Sequence, residues 1–452
     1  MILEKVKNQP LAHISYFLGS STNAVIIDPQ RNCTSYINIA DRERMKIKRI
    51  LETHQNEDYV AGSKELSELT GAEIYHGPFS NIKYGMEVDD GQEFNLEGLT
   101  IKAITTPGHT PDSVSYAIID NEAGDKPVLI FTGDTLFVNE VGRTDLGGEE
   151  NARKYSEDMY DSIHKKILPL GDQVVLYPAH GAGSICGVNI ADREISALGT
   201  ERLFNPMLLM TRREFIEYKV NEHPYYPSYF KTMEKLNSEG APSIGWNLGP
   251  KYLNLGEFKA YIDEDAVVLD ARPPPGFGAG HIKGSYNIPK TLLKFSGSVL
   301  PYDTSIVVLL GNQCDSDYFS HGLMSMGYDN VEGYLRDSIV SWYTNAYPVE
   351  TLTLMTVQDL RSRLESDDWH VLDVRSENEY DEGHIEGSLN LYVGNLPENL
   401  DKIPRNGSLA VICSSGMRSS LACSILQRND FHNISNVLGG MMGWFKANYP
   451  TV

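Results

Sequence analysis

The chain has 452 residues, 41% of them hydrophobic, and 61 acidic against 39 basic side chains give it a formal net charge of −22. That length corresponds to about three domains of roughly 150 residues. The acidic excess repels phosphate backbones and anionic lipid heads, so neither a nucleic-acid partner nor a membrane partner is expected, while a local basic pocket is still allowed. Five scattered cysteines (Cys33, Cys186, Cys314, Cys413, Cys423) form no CxxC pair. With no signal-peptide core and no run of about 18 apolar residues, a soluble cytoplasmic protein with reduced thiols is expected.

Up to about residue 205, short β-rich apolar runs such as 99–106, 127–132 and 173–177 alternate with Gly/Pro/Asp turns. Histidines and acids follow several of these runs. Residues 54–59 read His-Gln-Asn-Glu-Asp-Tyr, residues 106–110 Thr-Pro-Gly-His-Thr, residues 132–135 Thr-Gly-Asp-Thr, and residues 177–181 Tyr-Pro-Ala-His-Gly. Strand ends of a sandwich can converge on one edge, and four such segments in this order point to a metal site. His76, His164 and His223 lack motif context and read as ordinary surface or capping residues.

Residues 206–250 read as a helical linker, two helical stretches joined by the period-breaking His-Pro-Tyr-Tyr-Pro-Ser. Within it, the Tyr/Pro-rich residues 225–230 are a candidate cap over the metal pocket. The remaining chain is an internal repeat. Leu269-Asp270-Ala271-Arg272 recurs as Leu372-Asp373-Val374-Arg375, and His281-Ile282 as His384-Ile385, both at an offset of 103 (372 − 269, 384 − 281). Alternating strands and helices of this length predict a small parallel α/β domain present twice, at 251–350 and 351–452.

In the second copy a strand at 408–412 leads into Cys413-Ser414-Ser415-Gly416-Met417-Arg418 and then a helical run. A cysteine between strand and helix start lies over backbone N–H groups and the positive helix end, which stabilise an anionic persulfide. Arg418 adds a fixed positive charge suited to sulfite or thiosulfate. At the same offset the first copy has Leu310 in place of Cys413 and Asp315 in place of Arg418, and Phe431 still matches Tyr328. Cys314 falls opposite Met417, so the middle domain keeps the frame without the nucleophile or the anion clamp and reads as a structural or docking module.

Residues 1–200, through segments 106–110, 131–137 (FTGDTLF), 142–146 (GRTDL) and 177–181, resemble the metallo-β-lactamase superfamily, and within it the persulfide dioxygenases, relatives of glyoxalase II. Residues 353–452 resemble rhodanese-family sulfurtransferases. The resemblance implies an α/β multidomain protein: an αββα metallo-β-lactamase sandwich at 1–205, the linker, and two rhodanese-like domains with central parallel sheets, the first inactive. It implies one Fe(II) per chain held by His54, His109 and Asp134, a facial triad suited to non-haem iron. Where the full H-x-H-x-D-H signature has two further histidines, this chain has Asn56 and Tyr59. Tyrosine is a poor zinc ligand beside histidine, so the two-metal site is damaged and the one-iron triad spared.

Asp58 and His180 are expected either to orient ligands or substrate or to stand as structural remnants. Arg143 would pair with an anionic thiol carrier or with Asp145. Cys413 and Arg418 are the expected catalytic pair, Ser414, Ser415, Gly416 and Met417 form the sulfur-binding loop, and Cys423 reads as a buried inert thiol. By resemblance, a low-molecular-weight thiol persulfide (of glutathione, coenzyme A or another thiol) is oxidised by dioxygen to sulfite, and Cys413 exchanges sulfur between sulfite and thiosulfate in detoxification of reactive sulfur. Fusion raises the local concentration of the shared sulfite, and self-association into a homo-oligomer is expected. A zinc thioester hydrolase of glyoxalase II type with regulatory rhodanese domains is the alternative, and a non-catalytic sulfur sensor the third reading.

Overall fold

The computed structural model describes residues 1–187, 189–222, 224–245, 249–364 and 368–452. His223 and three residues of the expected linker, 246–248, lie outside the described residues. Two compact units are formed mainly by residues 1–247 and by residues 248–452.

Period-2 alternation builds the first unit. In the strand His13–Ser20, Ile14, Tyr16 and Leu18 face one side and Phe17 the other. In Val114–Asp120, Val114, Tyr116 and Ile118 point to the same inner core while Ala117 points outward. One sheet takes β1 (Ile2–Asn8), β2 (His13–Ser20), β3 (Asn23–Ile27), β4 (Lys46–Leu51), β5 (Glu73–His76) and β6 (Met86–Glu87) in sequence order. The other holds β7 (Glu93–Leu96), β8 (Leu99–Thr105), β9 (Val114–Asp120), β10 (Pro127–Gly133), β11 (Val175–Pro178) and β12 (Ser196–Ala197), with spatial order β12-β11-β10-β9-β8-β7. The inner faces bury Tyr16, Val25, Leu51, Ile101 and Phe131 against each other. The outer faces are covered by helices, Tyr36, Ile39 and Leu66 on one side and Met159, Ile163 and Phe215 on the other. Strands with one face in each core produce the four-layer αββα sandwich.

The linker segment is an integral part of this unit. Its helix Arg212–Val220 starts in a Thr211–Glu214 capping box and buries Phe215 and Ile216 beside Met159. From helix Phe230–Glu239, the buried Asn237 amide donates to the carbonyls of Asn56 and Tyr59 at 2.7 Å each and accepts from the Ala61 N–H at 2.8 Å. His76 departs from its surface reading. It closes β5 at 4% exposure, with Nδ1 2.9 Å from Ser80 Oγ. His164 is half-buried, stacked on Tyr160 at 4.0 Å.

In the second unit the repeat appears as two five-stranded, wholly parallel sheets of identical order. β13 (Tyr252–Leu253), β14 (Val267–Asp270), β15 (Tyr286–Asn287), β16 (Ile306–Leu309) and β17 (Val331–Leu335) run β13-β17-β16-β14-β15. β18 (Thr353–Met355), β19 (Trp369–Asp373), β20 (Leu389–Asn390), β21 (Ser408–Ile412) and β22 (Ile434–Val437) run β18-β22-β21-β19-β20.

The Asp-x-Arg element is the same clamp in both copies. Arg375 grips Asp373 through Nε and Nη2 and donates to the carbonyls of Glu379 and Gly383 at 2.7 and 2.9 Å. Arg272 grips Asp270 and donates to Gly276 and Gly280 at 3.1 and 2.8 Å. Both pairs are buried, and removing one partner of such a pair leaves an uncompensated charge. Asp373→Asn is therefore expected to destabilise the second unit by about 3–5 kcal/mol, read as a lowered denaturation midpoint, and a loss below about 1 kcal/mol would rule out the clamp as a main support of the sheet.

Candidate metal centre and sulfur-transfer loop

The sandwich brings four segments to one edge. His54 follows β4, His109 follows β8, Asp134 follows β10 and His180 follows β11. Gly133 makes the turn before Asp134 at φ +53°, and a Cβ there would lie 2.5 Å from Thr53 Oγ1. His54, Asp58, His109, Asp134 and His180 are each at most 1% exposed and lie in one cluster.

Hydrogen bonds fix which ring nitrogens face inward. Thr53 Oγ1 donates to Asp28 at 2.9 Å, so at 3.0 Å from His54 Nδ1 it is placed to accept. His109 Nδ1 lies 2.9 Å from the Arg143 carbonyl, which can only accept. Both imidazoles therefore turn Nε2 to the centre, and a backbone or hydroxyl partner sets the tautomer. His180 bridges two carboxylates, Nδ1 to Asp134 at 2.8 Å and Nε2 to Asp58 at 3.0 Å. Burial alone would lower its pKa, and those two carboxylates raise it well above the usual value. The third-histidine position belongs to Tyr59, buried with its ring stacked on His13 at 3.9 Å. Burial keeps that phenol protonated, which suits it to packing and not to ligation. Asn56 turns away, donating to the His54 carbonyl at 3.2 Å.

Two groups join the cluster that motif reasoning did not single out. Glu57 Oε1 lies 3.2 Å from His109 Nε2, and Glu57 Oε2 3.8 Å from His54 Nε2. Although burial would raise it, the two histidines hold the Glu57 carboxyl down at about 2. Cys186 donates to Glu57 at 3.3 Å, and burial followed by the surrounding carboxylates pushes its thiol well up.

A metal fits these residues on the polar atoms left over. The Nε2 atoms of His54 and His109 and Oε2 of Glu57 are buried with no hydrogen-bond partner in a tight cluster. Glu57, His109, Asp134 and Cys186 offer donor atoms within 4.8 Å of one another, as do Asp58, His180 and Cys186, and the expected ligand His54 falls in neither group. Orphaned buried polar atoms are costly unless an ion or water satisfies them. Glu57 also lines an open cleft of about 600 Å³, together with Gln55, Lys83, Asp112, Lys231, Glu234 and Lys235.

Arg143 is committed to Asp145 by two bonds of 2.7 and 2.6 Å and to the carbonyls of Tyr225 and Pro224. Of its two expected partners the structure shows the carboxylate. Tyr226 and Phe230 lie 5.7 Å from the guanidinium, so residues 225–230 pack against the segment whose carbonyl holds His109.

In the second unit Cys413 is 1% exposed at the end of β21. Gly416 N–H donates to its sulfur at 3.2 Å and Ser419 Oγ is 3.4 Å away. Gly440, at φ +52°, lets a second loop approach, since a Cβ there would sit 2.1 Å from the Cys413 carbonyl. Ser415 is exposed, and Met417 opens the helix Met417–Arg428. Arg418 does not stand open toward the sulfur. It holds Glu379 at 2.6 and 2.7 Å and Ser414 Oγ at 2.7 Å. In the first copy, Leu310 is buried at the nucleophile position, Asp315 pairs with Lys290 at 2.6 Å, and Cys314 is exposed. Cys423 is buried, with its thiol pushed well up by that burial.

Burial would raise the Glu379 carboxyl, but hydrogen bonds from Arg418 and Ser414 hold it at about 2, against 4.5 when free. A depressed folded value stabilises fully above about pH 4.5, and the contribution is lost as pH falls through about 2. Because the Glu379 side chain is 34% exposed, Glu379→Gln is expected to cost only up to about 1 kcal/mol at pH 7. The gap to wild type should narrow as pH drops from 4.5 toward 2, which denaturant titrations at pH 7 and pH 3 would detect; a constant gap would speak against the ion pair.

Comparison with known proteins covers both units. The metallo-beta-lactamase superfamily matches residues 9–180, and the rhodanese-like domain matches residues 254–345 and again 356–447. An uncharacterized protein of Mycobacterium tuberculosis is 30% identical over 214 residues, 41% of this chain and 88% of its own. Persulfide dioxygenase ETHE1 of Homo sapiens is 28% identical over 46% of this chain and 76% of its own. Hydroxyacylglutathione hydrolase GloC of Haemophilus influenzae is 27% identical over 41% of this chain and 87% of its own. The crystal structure of a metallo-beta-lactamase from Staphylococcus aureus superposes with TM-score 0.65 at 28% identity, covering 74% of this chain and 98% of that one. The chain thus belongs to the metallo-beta-lactamase superfamily, as a relative of the persulfide dioxygenases that carries two C-terminal rhodanese-like domains.

Proposed function

We propose that this protein is a cytoplasmic persulfide dioxygenase joined to a sulfurtransferase, oxidising a low-molecular-weight thiol persulfide to sulfite and exchanging sulfane sulfur through Cys413. The observation that carries the reading is the pair of buried, unpartnered Nε2 atoms of His54 and His109, with the Asp134 carboxylate 3.6 Å from the latter, while a phenol stacked on His13 stands at the third-histidine position. Two imidazoles and a carboxylate are the donor set of mononuclear non-haem iron sites, whereas a two-metal hydrolase uses a fuller histidine set.

Ferrous iron, one per chain, would be held by His54, His109 and Asp134 and would supply the redox chemistry between dioxygen and the persulfide sulfur. The protein's own residues set up that reaction. Thr53 and the Arg143 carbonyl hold the two imidazoles in their inward tautomers. His180, cationic between Asp58 and Asp134, orients the Asp134 carboxylate. Lys83, Lys231 and Lys235 offer the cleft ammonium groups for an anionic thiol carrier, beside the acids Glu57, Asp112 and Glu234. Overall, RSSH, dioxygen and water give RSH, sulfite and two protons.

At the other site, the Gly416 N–H and the start of helix Met417–Arg428 stabilise a Cys413 persulfide anion. Attack by sulfite on its outer sulfur gives thiosulfate and the Cys413 thiolate, and the reverse step loads the cysteine from thiosulfate. The middle domain, with Leu310 and Asp315 in place of nucleophile and clamp, takes no part in the chemistry.

The purified chain is expected to hold about one iron and to take up dioxygen with glutathione persulfide. His109→Ala should abolish uptake, and Cys413→Ser should leave uptake intact while removing thiosulfate–sulfite exchange. Similarity to a hydroxyacylglutathione hydrolase makes the zinc thioesterase the competing reading. Two zinc ions per chain with thioester cleavage would establish it in place of the dioxygenase.

A further inference from the structure

Glu57 is unexplained by the triad. It is 2% exposed, and among the described residues no lysine or arginine pairs with it. Among the described residues its ion-pair contacts are with His54 and His109, whose Nε2 atoms face the same centre, while the Arg143 guanidinium acts on it from farther away. If those imidazoles are neutral ligands, as metal binding requires, they cannot neutralise the Glu57 carboxylate. A desolvated carboxylate without a counter-charge costs several kcal/mol. A metal ion held among these donors would supply that counter-charge.

The distances fit a shared ion. Metal–donor bonds of about 2.0–2.2 Å place neighbouring donors roughly 3.0–3.6 Å apart in octahedral or tetrahedral arrangement. Glu57 Oε1 is 3.2 Å from His109 Nε2, and Asp134 Oδ2 is 3.6 Å from the same atom. Glu57 Oε2 is 3.8 Å from His54 Nε2 and has no hydrogen-bond partner. The neighbouring Asn56, at a histidine position of the full signature, donates its amide to the His54 carbonyl. One donor is lost at position 56, and an acid stands at position 57 with its carboxylate inside the cluster.

We propose that Glu57 is a fourth protein ligand of the metal, together with His54, His109 and Asp134. The inference rests on the one-metal reading above and deepens it. Two carboxylates would neutralise a divalent ion that a lone Asp134 leaves with a net positive charge. Glu57 also lines the open cleft, so the proposed ligand set borders the side from which substrate would enter.

The test uses the metal-stripped full-length chain reloaded with Fe(II), its affinity read by competition with a chromophoric chelator. A parallel sample is loaded with Co(II), whose visible bands follow the number and type of bound donors. Glu57→Gln, close in shape to the native residue, and Glu57→Ala should each weaken Fe(II) binding by about tenfold or more and shift the Co(II) bands. Added formate should restore affinity to Glu57→Ala alone. If Glu57→Gln keeps the wild-type Co(II) spectrum, whether or not its affinity falls, the fourth-ligand inference is overturned, since a group acting only through His109 would leave the donor set unchanged. His109→Ala separates the two levels of the argument. It should lose the metal, and retention there would overturn the underlying site reading instead.

Discussion

The first unit depends on how charge is kept out of water. Three carboxylates (Glu57, Asp58, Asp134) and three imidazoles (His54, His109, His180) are each at most 2% exposed at one sheet edge. Such groups persist in a low-dielectric interior only if each meets an opposite charge or a full set of hydrogen bonds. His180 meets that condition for two of them, bridging Asp58 and Asp134. Thr53, Asp28 and the Arg143 carbonyl meet it for the outer nitrogens of His54 and His109. The Nε2 atoms of His54 and His109 and Oε2 of Glu57 are left buried without a hydrogen-bond partner. Strand order, the turn at Gly133 and the packing of residues 225–230 on Arg143 are the scaffolding that makes that convergence hold.

The two rhodanese-like copies separate frame from chemistry. Both keep the buried Asp-x-Arg clamp, the same strand order, and an asparagine tied to two carbonyls, Asn287 to Asp270 and Arg272, and Asn390 to Asp373 and Arg375. Only the second has a cysteine under a donating N–H at the end of its central strand. Since the clamp is identical where the chemistry differs, it serves folding. The pairing of Glu379 with Arg418 belongs to the second copy alone, because the matching residues are Gly276 and Asp315.

Much of the architecture was legible because it rests on period and repetition. Alternation in residues such as Ile14, Phe17 and Leu18 marks strands with a core on each face, and the offset of 103 marks the duplicated domain. His54, His109, Asp134 and His180 were legible because each follows a strand within a recognisable segment. Glu57 was hidden at a variable position of the signature, where residue type carries no motif information. Comparing the two copies at positions 379 and 276 would have exposed Glu379 as an addition. The Asn237 contact with Asn56 spans 181 residues and has no local signal, and His76 was misread because burial depends on what the fold places over a strand end.

The substitutions at 56 and 59 and the acid at 57 form one set when read through electrostatics. A two-metal cluster places a second divalent charge beside the first, and histidines at positions 56 and 59 would serve it as neutral donors. Here position 59 is a stacked phenol, and His180 bridges Asp58 and Asp134 through its two ring nitrogens. Glu57 adds a carboxylate facing the Nε2 atoms of His54 and His109. Each change by itself resembles decay of a metal site. On the proposed one-metal reading, together they would keep the local charge balanced around a single divalent ion, the condition a mononuclear centre must meet to be buried this deeply.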